Sequence, residues 1–393
     1  MDLDHGDLGV ALVLAAADEL RPDDGWDHAA LPYITRAAEA LAGRVGVLGT
    51  AAMGLFGGAA CVGHTLRALG RSGQRYRNAI EQVDDLLLDL LGAHLHAVPD
   101  AGPGTDDYDV IGGLAGVTRF LLQVREPGDQ TAAVVAAAVN RLARWAVTTE
   151  GFHTPSGRIT ALEREHQPDL HGGYVNLGYA HGVCGVLAVL ALAVRHGVGG
   201  SIVDDAAQRI AATIIGSTVE RPYGPELPFV VPTSPVTPSG GAGGASRIGW
   251  CYGNVGAALA LGDYIPVAED AAGVSAAADR LLATVALTPP SPDDDNPSLC
   301  HGVGGLLLVR RHLAEQRAPI GPDSALAPEV LAGRLLGMRD PDLLFGLRNR
   351  QRVPLDSPGF LTGSGGAAVA LVSWAEGTKI TYAEKIITGG SLC

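Results

Sequence analysis

One motif recurs seven times along the chain: Gly-x-x-Gly followed by a run of small and aliphatic residues, at intervals of about 50 to 70 residues. The copies are Gly6-Asp7-Leu8-Gly9, a degenerate Gly58-Ala59-Ala60-Cys61, Gly113-Leu114-Ala115-Gly116, Gly182-Val183-Cys184-Gly185, Gly253-Asn254-Val255-Gly256, Gly302-Val303-Gly304-Gly305 and Gly363-Ser364-Gly365-Gly366. Such an interval holds two helices and two loops. The helix that starts at each glycine pair is apolar nearly all round, as a buried helix must be. The one that follows, for example 133–148 or 270–284, keeps a polar face. Alternating buried and amphipathic helices imply an all-α fold, an α/α toroid with seven inner Gly-rich helices and seven outer helices. Because such a ring closes on itself it needs no capping units, and residues 1–393 are expected to form a single domain.

In that arrangement the glycines let neighbouring backbones converge at one end of the ring, where helix N-termini present free N–H groups. Residues just ahead of each glycine pair are therefore expected to meet, although they are far apart in sequence. Two stretches, near 150–173 and 221–247, break the spacing; they are rich in loop-forming residues and read as insertions, with room for short strands. Long loops beside a site are candidate substrate contacts.

The strings Trp250-Cys251-Tyr252-Gly253 and Leu299-Cys300-His301-Gly302 occupy equivalent repeat positions and together offer two thiolates and an imidazole. Three such ligands match catalytic zinc sites, whose fourth position takes water or substrate, better than structural sites with four protein ligands. Cys251, Cys300 and His301 are the expected zinc ligands. His181 precedes its own glycine pair at a matching slot and reads as a general acid/base. Asp109, four residues before Gly113, has two readings: an N-terminal cap for the following helix, or the partner of an acid/base group. Arg247 would lie one helical turn before Cys251 if that stretch is helical, placed to steady an enolate or carboxylate; otherwise it is a solvated loop charge. The Tyr252 hydroxyl either reaches the metal's open position or packs. Cys61 and Cys184 read as buried core thiols, Cys393 as an inert tail residue and His5 as structural.

The net charge of −14 and the two lysines, Lys379 and Lys385, argue against nucleic acid as a partner. The acidic start Met1-Asp2-Leu3-Asp4 is unlike a secretory signal, and the longest apolar stretch, about Val183 to Val194, is too short to span a bilayer. Five widely spaced cysteines suit reduced thiols. A protein of the cytoplasm without an integral membrane segment is expected.

Tyr179-Ala180-His181-Gly182-Val183-Cys184-Gly185, the Trp250–Gly256 string and the Leu299–Gly305 string, in this order among seven glycine-initiated helices, resemble the lanthionine cyclase (LanC-like) family. The resemblance implies an α/α toroid holding one zinc. It implies thioether rings made in ribosomal peptides by adding cysteine thiols to dehydroalanine or dehydrobutyrine. By motif, Cys251, Cys300 and His301 resemble that family's zinc ligands, His181 and Asp109 its acid/base pair, and Arg247 and Tyr252 further active-site positions. Val255, where many members carry proline, and Cys61, in place of glycine, depart from the pattern without touching the chemistry. The implied partners are a dehydrated precursor peptide and a separate dehydratase. The same residues would also serve a LanC-like enzyme that adds glutathione to dehydroamino acids, or a non-catalytic zinc scaffold that binds peptide. A zinc-dependent prenyltransferase, also a toroid, would need an aromatic-lined cavity, and only 5% of residues are aromatic.

Overall fold

In a computed structural model the chain is mostly helical, with five very short strands among the described residues. The structure describes residues 2–4, 6–70, 75–124, 129–148, 151–159, 164, 170, 172–233, 249–289, 295–316, 324–349, 356–377 and 381–389. In chain order the helices are α1 Asp7–Leu20, α2 Trp26–Leu48, α3 Ala59–Leu69, α4 Arg77–Ala97, α5 Thr105–Tyr108, α6 Leu114–Val124, α7 Asp129–Val147, α8 Val183–Arg195, α9 Ser201–Gly216, α10 Asn254–Tyr264, α11 Ala271–Leu287, α12 Val303–Gln316, α13 Pro328–Gly337, α14 Ser364–Glu376 and α15 Thr381–Thr388. Each of the seven glycine motifs starts a helix: α1, α3, α6, α8, α10, α12 and α14.

The helices group into two compact units. The first comprises Met1–Leu91, Ile248–Trp250 and Pro289–Cys393. Within it α1 packs against α2, α3, α14 and α15, while α12 packs against α13, α14 and α15. The second comprises Gly92–Arg247 and Cys251–Thr288. There α8 lies against α6 and α10, with α7, α9 and α11 packed on these three.

The burial pattern follows the residue pattern. In α10 every residue from Asn254 to Tyr264 is buried, and in α8 every residue from Val183 to Ala193. The intervening helices bury one stripe. In α9 it is Val203, Ala206, Ala207, Ile210, Ala211 and Ile214, the i, i+3, i+4, i+7 spacing of an amphipathic helix. Cys61 and Cys184 are fully buried, and burial pushes both thiols well above their ordinary range. Cys393 and His5 lie outside the described residues.

All the strands belong to the second unit. β1 (His153–Thr154), β2 (Tyr174–Asn176) and β5 (Val230–Pro232) form a small antiparallel sheet in which Asn176 pairs with Val230; β3 (Val219–Arg221) and β4 (Gly224–Glu226) form a hairpin. The sheet is anchored by a cluster of Ile159, Leu170 and Tyr174, with Val230 against it. These strands fall in or beside the two stretches expected to be insertions; 160–163, most of 165–171 and 234–248 lie outside the described residues. No helix among the described residues is long and apolar enough to cross a membrane.

What gathers the motifs is a relay of backbone hydrogen bonds between the turns that precede the buried helices. In the second unit Val110 donates to the Ala180 carbonyl at 3.0 Å, and Tyr179 and Ala180 donate to the Cys251 carbonyl at 2.9 and 3.2 Å. In the first, Leu299 and Cys300 donate to the Leu361 carbonyl, Phe360 donates to Leu3, and Leu3 donates to Phe56. The turns that carry Asp109, His181 and Cys251 are thus tied together, as are those that carry Cys300 and Thr362.

The motif glycines serve the expected contact between repeats and a second one within their own turn. A Cβ on Gly182 would come within 2.5 Å of Asn176 O and Oδ1, so its missing side chain admits its own turn, folded back on the helix start. The close approach between repeats falls on motif glycines, where a Cβ on Gly9 would stand 3.1 Å from Phe360 N and one on Gly185 2.4 Å from Val110 Cγ2, and also on Gly178 and Gly249, outside the motif. A Cβ on Gly178 would meet the Cys251 carbonyl at 2.9 Å, and one on Gly249 the His301 Cα at 2.7 Å.

Candidate active site

Asp109 ends the short helix α5 and is 2% exposed. Its Oδ1 accepts hydrogen bonds from the backbone N–H groups of Gly112 at 2.8 Å and Gly113 at 2.7 Å, and its Oδ2 accepts from His181 Nδ1 at 2.6 Å. The two readings open for Asp109 therefore coexist in one side chain: one oxygen holds the turn into α6, the other holds His181. Burial acts against a charged His181, but the hydrogen bond to Asp109 and that carboxylate's charge outweigh it and raise the imidazole pKa above its ordinary value. With Nδ1–H committed to Asp109, Nε2 is the nitrogen left to exchange a proton, and the His181 side chain is 41% exposed.

Tyr252 follows Cys251 on a turn. Residues 249–253 are a succession of bends, and α10 starts at Asn254 after Gly253, whose φ of +90° is a conformation L side chains rarely adopt. The expected helical spacing between Arg247 and Cys251 is therefore not present over the described part of that stretch; Arg247 itself lies outside the described residues. The Tyr252 ring lies 5.1 Å from Phe229 and 6.3 Å from His181, centroid to centroid. Its hydroxyl accepts a hydrogen bond from Asn176 Nδ2 at 3.0 Å. A Cβ on Gly178 would stand 2.6 Å from Tyr252 Cε1, so only glycine leaves the ring its place.

Cys251 is anchored through its carbonyl to the His181 turn, and its neighbour Trp250 is fully buried, stacked on Phe56 at 5.5 Å with Nε1–H donated to the Ile387 carbonyl at 2.8 Å. Gly249 lies against the backbone of Cys300 and His301. The His301 N–H donates to Ser298 Oγ at 3.3 Å. The ligand atoms of Cys251, Cys300 and His301 all lie within 4.8 Å of one another, the group of three that could hold a metal ion among the described residues. Zinc bonds of about 2.3 Å to sulfur and 2.0–2.1 Å to nitrogen set tetrahedral ligand separations of about 3.5–3.8 Å. Small side-chain movements satisfy that, so the donor set and its spacing both fit zinc.

Sequence patterns alone do not point to Asn176 or Phe229. A usable signal exists for the first: Asn176, Asn296 and Ser357 each stand six residues before a motif glycine, and each accepts the N–H two residues on, from Gly178, Ser298 and Gly359.

Residues 1–384 match the family model of the lanthionine synthetase C-like proteins. The chain belongs to that family. No curated protein sequence matches it. Among solved structures, nisin cyclase superposes with a TM-score of 0.76 at 20% identity, over 99% of this chain and 94% of that one. The shared fold is the all-α toroid class expected from the seven repeats.

Proposed function

We propose that this LanC-like chain is a zinc-dependent lanthipeptide cyclase. It forms lanthionine and methyllanthionine rings by Michael-type addition of peptide cysteine thiols to dehydroalanine or dehydrobutyrine. The observation that carries the reading is the Asp109–His181 pair, held by a backbone hydrogen bond beside Cys251, whose sulfur groups with Cys300 and His301.

When bound, zinc supplies a position at which a substrate cysteine thiol ionises well below its free pKa of about 8.5. The substrate sulfur bonds to Cβ, the Cα–Cβ π pair shifts onto the carbonyl oxygen as an enolate, and a proton on Cα restores the carbonyl. His181 Nε2 delivers that proton, Asp109 holds the imidazolium and its tautomer, and the thiol proton released at the start balances the step. Arg247 and Tyr252 are the candidate donors to the enolate oxygen. The peptide arrives already dehydrated, which calls for a dehydratase acting before this chain.

The test is to incubate the purified chain with a dehydrated cysteine-containing peptide and alkylate the thiols that remain, since cyclisation consumes thiol without changing mass. The expected result is one zinc per chain and thiol loss, with both lost in Cys300→Ala. A chain that retains zinc in Cys300→Ala, or binds zinc and never consumes thiol, refutes the proposal. Consumption of glutathione but not of peptide cysteine would reassign the acceptor chemistry to a small thiol.

A further inference from the structure

Asn176 sits on β2, is 4% exposed, and makes two hydrogen bonds whose directions are fixed by chemistry. The Gly178 backbone N–H, which can only donate, lies 2.9 Å from one side of the amide, so that side is the carbonyl Oδ1. The other side is then the NH₂ group, 3.0 Å from the Tyr252 hydroxyl, and there the phenol oxygen can only accept. A phenol that accepts from Asn176 turns its own hydrogen away from Asn176. The ring that carries it is fixed by the space at Gly178 and by Phe229, and it lies beside His181.

We infer that Asn176 is a positioning residue that fixes the Tyr252 hydroxyl as a hydrogen-bond donor to the enolate oxygen of the reacting dehydro residue. This rests on the cyclase reading, and it assigns to Tyr252 the second of the two oxyanion donors. Asn176 does not touch the peptide; it sets which way the phenol's hydrogen points. No atom is transferred by either residue. The hydroxyl donates to the oxygen on which the π pair collects, and the bond weakens again once Cα is protonated.

Asn176→Asp separates this role from simple packing. The carboxylate still accepts from Gly178 N–H, so the turn is kept, but it offers no hydrogen to Tyr252, and the phenol now donates to Asp instead of to the substrate. Removing one such donor costs about 10²–10³ in kcat, so Asn176→Asp and Tyr252→Phe are each expected to lower kcat by about 10²-fold with KM little changed. Combining them adds no further loss, because both remove the same hydrogen bond. Losses that multiply, or full turnover in either single variant, overturn the inference. A second measurement reads the same device without turnover. In protein labelled with ¹³Cζ-tyrosine, the Tyr252 resonance, identified by its absence in Tyr252→Phe, moves toward the phenolate position in Asn176→Asp. An unmoved resonance overturns the inference even if the chain makes no thioethers, and a moved resonance in a chain that makes none refutes the cyclase reading while the hydrogen-bond assignment stands.

Discussion

Asp109→Asn tests the acid/base pair, because the structure dictates where the new amide must point. Oδ1 of residue 109 is held by two backbone donors, Gly112 and Gly113, and an asparagine carbonyl can take over both contacts. Its NH₂ group then faces His181 Nδ1, a donor against the nitrogen that now donates to Oδ2. The imidazole must give up the Nδ1 proton and accept instead, leaving its proton on Nε2 as a neutral ring. A charge-assisted hydrogen bond contributes about 1.5–3 kcal/mol. With the His181 side chain 41% exposed, solvent screening argues for the lower part of that range, about 1.5–2 kcal/mol. At 1.36 kcal/mol per factor of ten this gives a loss of about 10- to 30-fold in kcat, and the wrong tautomer adds to it in the same direction. The pH dependence has a definite sign. The native pair raises the His181 pKa above the ordinary 6.5, so its contribution to stability is fully present below about pH 6.5 and fades as pH rises through the raised value. In Asp109→Asn the His181 titration moves to lower pH. The assay is ¹⁵N NMR of the His181 ring in metal-free protein, with the signal identified by its loss in His181→Gln, alongside thiol consumption on dehydrated peptide. An unmoved titration, or turnover at the wild-type rate, refutes the reasoning.

Trp250→Phe keeps an aromatic ring against Phe56 but strands the buried Ile387 carbonyl that Trp250 Nε1 now satisfies. It is expected to lower unfolding free energy by about 1–3 kcal/mol in denaturant titration, and an unchanged midpoint would show the bond to be dispensable. Cys61 and Cys184 are fully buried with thiols pushed up by burial, so neither is expected to react with a maleimide at pH 7 until the chain unfolds; mass-mapped labelling of either in the native protein would contradict the packing.

The seven helix starts are legible in the sequence because a glycine pair ahead of an apolar run is a local signal, and every such run from Asp7 to Ser364 begins a helix where the motif places it. The Cys251, Cys300 and His301 group is legible for the same reason, since its two strings stand at equivalent places ahead of their glycines. What local pattern leaves out is part of the glycines' purpose: Gly185 takes the neighbouring Val110 as expected, but Gly182 makes room for its own turn, and Gly178 and Gly249, which sit outside the motif, also take neighbouring strings. Spacing also assumes a backbone. Reading 247–251 as one helical turn fails over 249–253 because Gly253, at φ +90°, ends a series of bends and α10 begins only after it. Asn176 is findable by its place six residues before a motif glycine, but its role toward Tyr252 is illegible for a third reason. Its strand is three residues long, too short for an alternating pattern, and the group it orients lies 76 residues away on another turn. Its chemistry depends on which atom faces a single backbone N–H. A motif names the groups that meet substrate, because those must be of a given type at a given place. The residue that decides which way a hydroxyl hydrogen points shows that role only in three dimensions, and there a single backbone donor, Gly178 N–H, is enough to fix it.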